Sequence, residues 1–163
     1  MDTKLNPIVQ WVGGKGRLLE NIHSHLPETM NTYHELFLGG GSLLLSLKPK
    51  LAHCYELNKH LCIVYNVIKN NPEELVQLLF TLEKEYLSLG TKEERKAYYI
   101  DIRNKFNEED NEIKIAAYLK FLNKTCFNAL YRVNLKGNFN VPFGTGRDPT
   151  VCDKENIMNL STY

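Results

Sequence analysis

The sequence predicts an α/β fold with a parallel sheet, followed by a helical region that ends in a β-hairpin. Three observations predict it. Over the first 70 residues, apolar runs of strand length alternate with stretches of helical spacing, the pattern of β-α-β units. From Asn71 to Leu122 helical signals dominate. After that, Lys136-Gly137-Asn138 lies between Val133, Leu135 and Phe139 and reads as a turn joining two short strands.

Each element has a local reason. Lys15–Leu26 places Leu18, Leu19, Ile22 and Leu26 at helical spacing, and Pro27 blocks its continuation. "YHELFL" (Tyr33–Leu38) reads as a short strand, "GSLLLSL" (Gly41–Leu47) as the helix after the glycines, and "LAHCYEL" (Leu51–Leu57) as a second strand. Asn58 is a cap for a helix over Lys59–Lys69. Asn71-Pro72-Glu73-Glu74 combines a cap, a proline in the first turn and acids near the positive end of the dipole. That helix is expected to reach about Leu87. A further helix follows Thr91, and another covers roughly Glu112–Leu122.

Composition bounds the function. The 163 residues are 43% hydrophobic and 24% charged, which supports a packed core and excludes compositional disorder. This length suits one domain, or a domain plus a subdomain. The net charge of +1 is, taken whole, no argument for nucleic acid. Cys54, Cys62, Cys126 and Cys152 form no C-x-x-C and no zinc spacing. They read as reduced thiols, and no metal is expected. The N-terminus lacks a basic-then-apolar leader, and no apolar run approaches the roughly 18 residues of a membrane span. A cytoplasmic protein is expected, without membrane association.

Local charge says more than the total. Pro72–Glu112 carries eleven acids and six bases, whereas Ile113–Arg147 carries six bases (Lys114, Lys120, Lys124, Arg132, Lys136, Arg147) and no acid. A charge bias is usually a solvated face. This one is interleaved with Phe121, Phe127, Tyr131, Phe139, Phe143 and five Asn. Cations answer phosphates, aromatics wedge between or stack on bases, and Asn reads base edges. Nucleic-acid contact is expected there.

The run Gly39-Gly40-Gly41 between strand and helix is the α/β cofactor arrangement, in which the backbone nears the ligand. It is neither G-x-G-x-x-G, since Leu44 holds the third position, nor a P-loop. Glu56, at the end of the second strand, can accept hydrogen bonds from ribose hydroxyls. Together these favour an adenosine cofactor without a pyrophosphate. S-adenosylmethionine fits better than NAD, and NAD better than ATP. Trp11 followed by Gly13-Gly14-Lys15 admits two readings: a buried Trp before a helix with an exposed lysine, or an aromatic wall and a cation beside a ligand carboxylate.

These motifs carry a resemblance. Trp11-Val12-Gly13-Gly14-Lys15, then "ELFLGGGS", "YELN" and "FLNKTCFNALYRVNLKGNFNVPFG", in that order, resemble the Dam-type DNA adenine-N6 methyltransferases over roughly residues 7–146. The resemblance implies a Rossmann-like S-adenosylmethionine-dependent sheet with a helical target-recognition subdomain and β-hairpin. It implies cofactor contacts from Trp11, Lys15, Phe37, Gly39, Gly40, Gly41 and Glu56. It implies DNA contacts from Phe127 and Asn128, which match duplex-wedging positions, and from Leu130, Arg132 and Pro142. The substrate implied is duplex DNA with a GATC-like site, in restriction–modification, repair or phage biology, and the product is N6-methyladenine. The corresponding division is 1–70 for cofactor, 71–147 for target recognition, and 148–163 for the start of a return to the catalytic part.

The chain departs from the pattern in three places. Leu36-Phe37 replaces the usual Pro-Phe, Glu56 replaces an Asp, and the family's Asp-Pro-Pro-Tyr is absent. Asp148-Pro149-Thr150 lies too early in the order and lacks the second Pro and the aromatic. The expectation is therefore a partial chain with an incomplete sheet, inactive alone and completed by further sequence or a second chain. A sheet stopped early would expose an apolar edge liable to association. The alternative is a non-catalytic remnant that binds DNA or a methyltransferase partner. A nucleotide-dependent oxidoreductase is disfavoured by the broken glycine motif.

Overall fold

Two strands joined through a helix lie at one end of the chain, and a stack of four longer helices follows. The computed structural model describes residues 5–145 and 148–163. Strands β1 (Tyr33–Glu35) and β2 (Ala52–Cys54) pair in parallel with Tyr33 opposite Ala52 and Glu35 opposite Cys54. The crossover between them is α2 (Ser42–Leu47). Both strands are shorter than the sequence predicts. The chain leaves the ladder at Leu36 and turns into the glycine loop, with only Leu38 N–H returning to Tyr55 C=O at 3.0 Å.

The first helix is also curtailed. Lys15–Leu18 is a 3-10 turn, and α1 covers only Leu19–His23. The Ser24 hydroxyl donates to Asn21 C=O at 2.7 Å, and His25 Nδ1 lies 2.8 Å from the same oxygen. Side chains thus compete for the carbonyl that the next turn would use.

The long helices follow their local signals. They are α3 (Lys59–Asn70), α4 (Pro72–Ser88), α5 (Lys92–Glu108) and α6 (Glu112–Thr125), with α7 (Lys154–Ser161) after the hairpin segment. Asn58 Oδ1 caps α3 by accepting Leu61 N–H at 3.1 Å. Thr91 and Glu94 exchange hydrogen bonds in a capping box at the start of α5. Asn71 departs from expectation. It occupies the cap position of α4, but its side chain accepts no backbone N–H and reaches Glu74 instead. Pro72 and the acids Glu73 and Glu74 mark that start without it.

The core is helical. Leu61, Leu75, Leu79, Tyr99, Leu119, Phe121 and Leu122 are fully buried, together with Ile8, Val9, Phe139 and Ile157. The expected hairpin is present as a bend, not as two strands. Val133 and Phe139 form an isolated antiparallel bridge, and Cys126 and Phe143 form another. The Asn134 side chain accepts from Lys136 N–H and Asn138 N–H, while Asn134 N–H to Asn138 C=O and Asn140 N–H to Arg132 C=O join the two arms. Where the chain recrosses the end of α6, a Cβ on Gly144 would lie 2.8 Å from the carbonyls of Thr125 and Cys126. Only glycine lets its N–H reach Thr125 C=O at 2.9 Å.

Candidate cofactor cleft and nucleic-acid face

Trp11, Lys15, Phe37, Gly39, Gly40, Gly41 and Glu56 line one cleft of about 360 Å³. Three separate segments bring them there. Residues 11–15 turn back on themselves, with Gly14 N–H on Trp11 C=O at 3.0 Å. The glycine loop follows β1, and Glu56 follows β2.

The geometry modifies the reason for the three glycines. Gly39 and Gly41 have φ of +54° and +71°, a region that side chains disfavour. A Cβ on Gly41 would lie 3.0 Å from the Tyr65 hydroxyl, and one on Gly40 3.3 Å from Val9 C=O. The loop therefore makes room for the protein's own N-terminal segment and α3, besides opening the cleft.

The cleft's charged groups are already held. Glu56 accepts Gly39 N–H and Asn58 N–H, each at 2.8 Å, one on each oxygen. A carboxylate keeps further lone pairs after two such bonds. Lys15 Nζ donates to Glu35 Oε1 and to Phe37 C=O, both at 2.9 Å, which leaves one of its three protons. Glu35 is buried, and its other oxygen accepts the Tyr33 hydroxyl at 2.8 Å. Burial, then that bond and the Glu35 charge, push the Tyr33 phenol up. Tyr65 donates to Gly39 C=O at 2.9 Å. Its phenol is also pushed up, first by burial and then by Glu35 and Glu56.

Glu35 and Tyr65 were missed by sequence reasoning. Strand alternation puts Tyr33 and Glu35 on one face, so an inward acid was detectable. Tyr65 had no signal, because its partner lies 26 residues away.

The residues expected to contact nucleic acid occupy a second region. Phe127, Asn128, Arg132 and Pro142 are exposed, and Leu130 is half-buried. Phe127–Ala129 forms a 3-10 turn in which Asn128 and Ala129 have φ of +53° and +51°. Arg132 Nε donates to Asn140 Oδ1 at 2.7 Å and Nη2 to Asn140 C=O at 3.1 Å, so the guanidinium plane is fixed. A cavity of about 480 Å³ lies beside the turn, lined by Lys124, Phe127, Asn128 and Thr145 among others.

The basic and aromatic run needs correction. Phe121, Phe139 and Lys120 lie in the interior, and Phe143 is half-buried against Tyr99. Phe121, Phe139 and Lys120 cannot meet a duplex in this fold. Lys120 and Phe121 sit on the buried faces of α6, where composition alone cannot separate inside from outside. Lys114, Lys124 and Lys136 are exposed. Arg147 lies outside the described residues.

The two regions touch. The rings of Trp11 and Tyr131 have centroids 4.9 Å apart, and Tyr131 stands between Leu130 and Arg132. Asp148 is elsewhere. It pairs with Arg95 of α5 at 2.6 Å and lines neither cavity. No described helix is long and apolar enough to cross a membrane.

Comparison with known proteins gives the family. Residues 11–163 match the model of the D12 class N6 adenine-specific DNA methyltransferase. The chain is 39% identical to a Type II methyltransferase, M.MjaIII, of Methanocaldococcus jannaschii, over 97% of this chain and 58% of that protein. It is 37% identical to the Type II methyltransferase M1.LlaDCHI of Lactococcus lactis subsp. cremoris, over 98% of this chain and 55% of that one. It is 32% identical to the DNA adenine methylase of Escherichia coli K12, over 93% and 52%. The chain thus spans a little over half the length of these relatives.

Proposed function

The chain belongs to the D12 class of N6 adenine-specific DNA methyltransferases, and from that premise we propose that residues 1–163 hold S-adenosylmethionine and duplex DNA for methyl transfer to adenine N6. The observation that carries this reading is one cleft shared by Trp11, Lys15, Phe37, the glycine loop and Glu56. It is joined through the Trp11–Tyr131 contact to the segment bearing Arg132. The proposed division is 1–70 for the donor and 71–147 for target recognition, with 148–163 leading back toward the catalytic part.

The residues fit the donor chemically. S-adenosylmethionine supplies an electrophilic methyl on a sulfonium. Trp11 and Phe37 offer aromatic surface for the adenosine, and Glu56 keeps acceptor capacity for ribose hydroxyls. The remaining Lys15 proton suits a carboxylate. On the DNA side, adenine N6 is inaccessible to a cleft while the base is stacked, so the base must be extruded. In this reading Phe127 and Asn128 enter the gap, which their exposure and the left-handed turn at Asn128 and Ala129 support. Arg132, oriented by Asn140, is suited to reading a base edge.

No catalytic residue is assigned. The 163 residues contain no Asp-Pro-Pro-Tyr, and the group that accepts hydrogen bonds from the adenine amine is left to further sequence or a second chain. The proposed site is GATC-like and the proposed compartment the cytoplasm.

Trp11 is the sole tryptophan and reports on the cleft. Its fluorescence should be quenched saturably by S-adenosylmethionine and not by NAD; the reverse preference overturns the reading. Arg132→Ala should lower discrimination between a GATC duplex and a scrambled one. Equal loss on both would limit Arg132 to phosphate contact. Binding of both ligands without labelled methyl incorporation, even when a chain carrying Asp-Pro-Pro-Tyr is supplied, would favour the second reading, a non-catalytic chain.

A further inference from the structure

Asn123, on α6, is a polar side chain on a buried helix face, with 3% of its surface exposed. Its Oδ1 and both Nδ2 protons are hydrogen-bonded, and not with its own helix. Oδ1 accepts Gln10 N–H at 2.9 Å, and Nδ2 donates to Gln10 C=O at 2.9 Å. The side chain thus pairs with residue 10 as a neighbouring strand would. The second Nδ2 proton goes to Ala129 C=O at 2.9 Å. Gln10 directly precedes Trp11, which walls the cleft, and Ala129 closes the turn that carries Phe127 and Asn128.

Two further contacts and one backbone conformation reinforce the arrangement. One turn earlier on α6, Lys120 Nζ donates to Ile8 C=O, so the segment before Trp11 is fixed on the helix at two points. Ala129 sits at φ +51°, a conformation that a residue with a Cβ holds only when its surroundings enforce it. The rings of Trp11 and Tyr131 meet at a tilt of 32°. A core asparagine serving packing alone would have no reason to address both ligand-facing segments and nothing else.

We infer that Asn123 is a positioning residue that locks the Trp11 wall of the cleft to the 127–129 turn, so that donor and duplex each change the affinity for the other. The inference rests on the proposed function, since it takes the two ligands from that reading. The mechanism is reciprocal by linkage. If a bound donor fixes Trp11, Asn123 fixes Ala129 with it, and the two coupling factors must be equal.

The test is titration of the full chain with S-adenosylmethionine, with and without a saturating short GATC duplex, and the converse. The unmodified chain should show about fivefold or greater mutual tightening. Asn123→Ala should retain binding of each ligand alone while the factor falls toward one. A folded Asn123→Ala chain with an undiminished factor makes Asn123 structural only and overturns the inference. Binding of both ligands with no coupling in the unmodified chain overturns it while leaving the proposed function intact. Binding of neither ligand defeats both. If Asn123→Ala does not fold, hydrogen exchange of the unmodified chain decides. Donor binding should slow the amides of Gln10 and of residues 127–130, and protection confined to the glycine loop overturns the inference.

Discussion

Helices α3 to α6 bury their apolar faces against one another, whereas β1, β2 and the segments that follow them leave much of theirs in water. Tyr86, Tyr99, Phe121 and Leu79 are essentially inaccessible in the helical region. Around the strands, Leu36, Phe37, Leu51 and Tyr55 are at least half exposed and Leu57 wholly so. The buried residues of the strand region, Tyr33, Leu38, Leu43 and Leu45, stand apart from the main apolar cluster. A helix satisfies its backbone internally and needs only a neighbour for one face. A parallel strand needs partners on both edges and cover on both faces. The helical region therefore carries the stability, and the strand region carries the open cleft.

The comparison can be broken by truncating one side chain in each region. Phe121 makes edge contacts with Tyr86 and Tyr98 at 5.5 and 5.6 Å between centroids. Phe121→Ala should cost about 4 kcal/mol in urea denaturation, and Leu45→Ala of α2 about 2 kcal/mol. Equal losses would mean that the two regions are stabilised alike.

A pH series sharpens the contrast within the helical region. Lys120 is pushed down to about 8, chiefly by burial and then by the Lys124 charge. Its folded value lies below the unfolded one, so the unfolded chain binds more protons between them and stability rises with pH. Relative to Lys120→Met, the unmodified chain should gain about 1–2 kcal/mol between pH 8 and pH 9.5. A flat difference would show that Lys120 is more solvated than its burial implies.

The smallest effect is expected on the strand side. Leu57→Lys should change stability by less than about 0.5 kcal/mol, since Leu57 is wholly exposed among the described residues, yet reduce concentration-dependent association in sedimentation. Unchanged association would place the self-contact elsewhere.

Legibility followed the range of the interactions. The starts of α3 to α6 were visible because caps, prolines and first-turn acids act within four residues. Even so, Asn71 marks its position without capping. The strands were located but overextended, because apolar character continues through Leu36 and Phe37 after the ladder has ended. Of the cleft-lining residues, Trp11, Lys15, Phe37, Gly39, Gly40, Gly41 and Glu56 were expected from the short motifs that carry the resemblance, whereas Val12, Gly13, Gly14, Leu38 and Ser42 line it without having been assigned. Tyr65 and Asn123, which brace those motifs, were not named. Their side chains reach partners 26 and 113 residues away, and no local pattern reports such a pairing.

The sequence by itself determined the helix starts, the glycine loop between strand and helix, the order of the motifs and through them the family. Each depends on residue types at short spacing, where steric and capping rules act directly. Only the tertiary structure decided which members of the 113–147 run face outward, that the glycines accommodate Val9 and Tyr65, and that one asparagine joins the cleft to the turn. Packing made those choices. A side chain's burial and partners are set by which helix faces close on each other, and a one-dimensional pattern of charge and aromaticity does not contain that information.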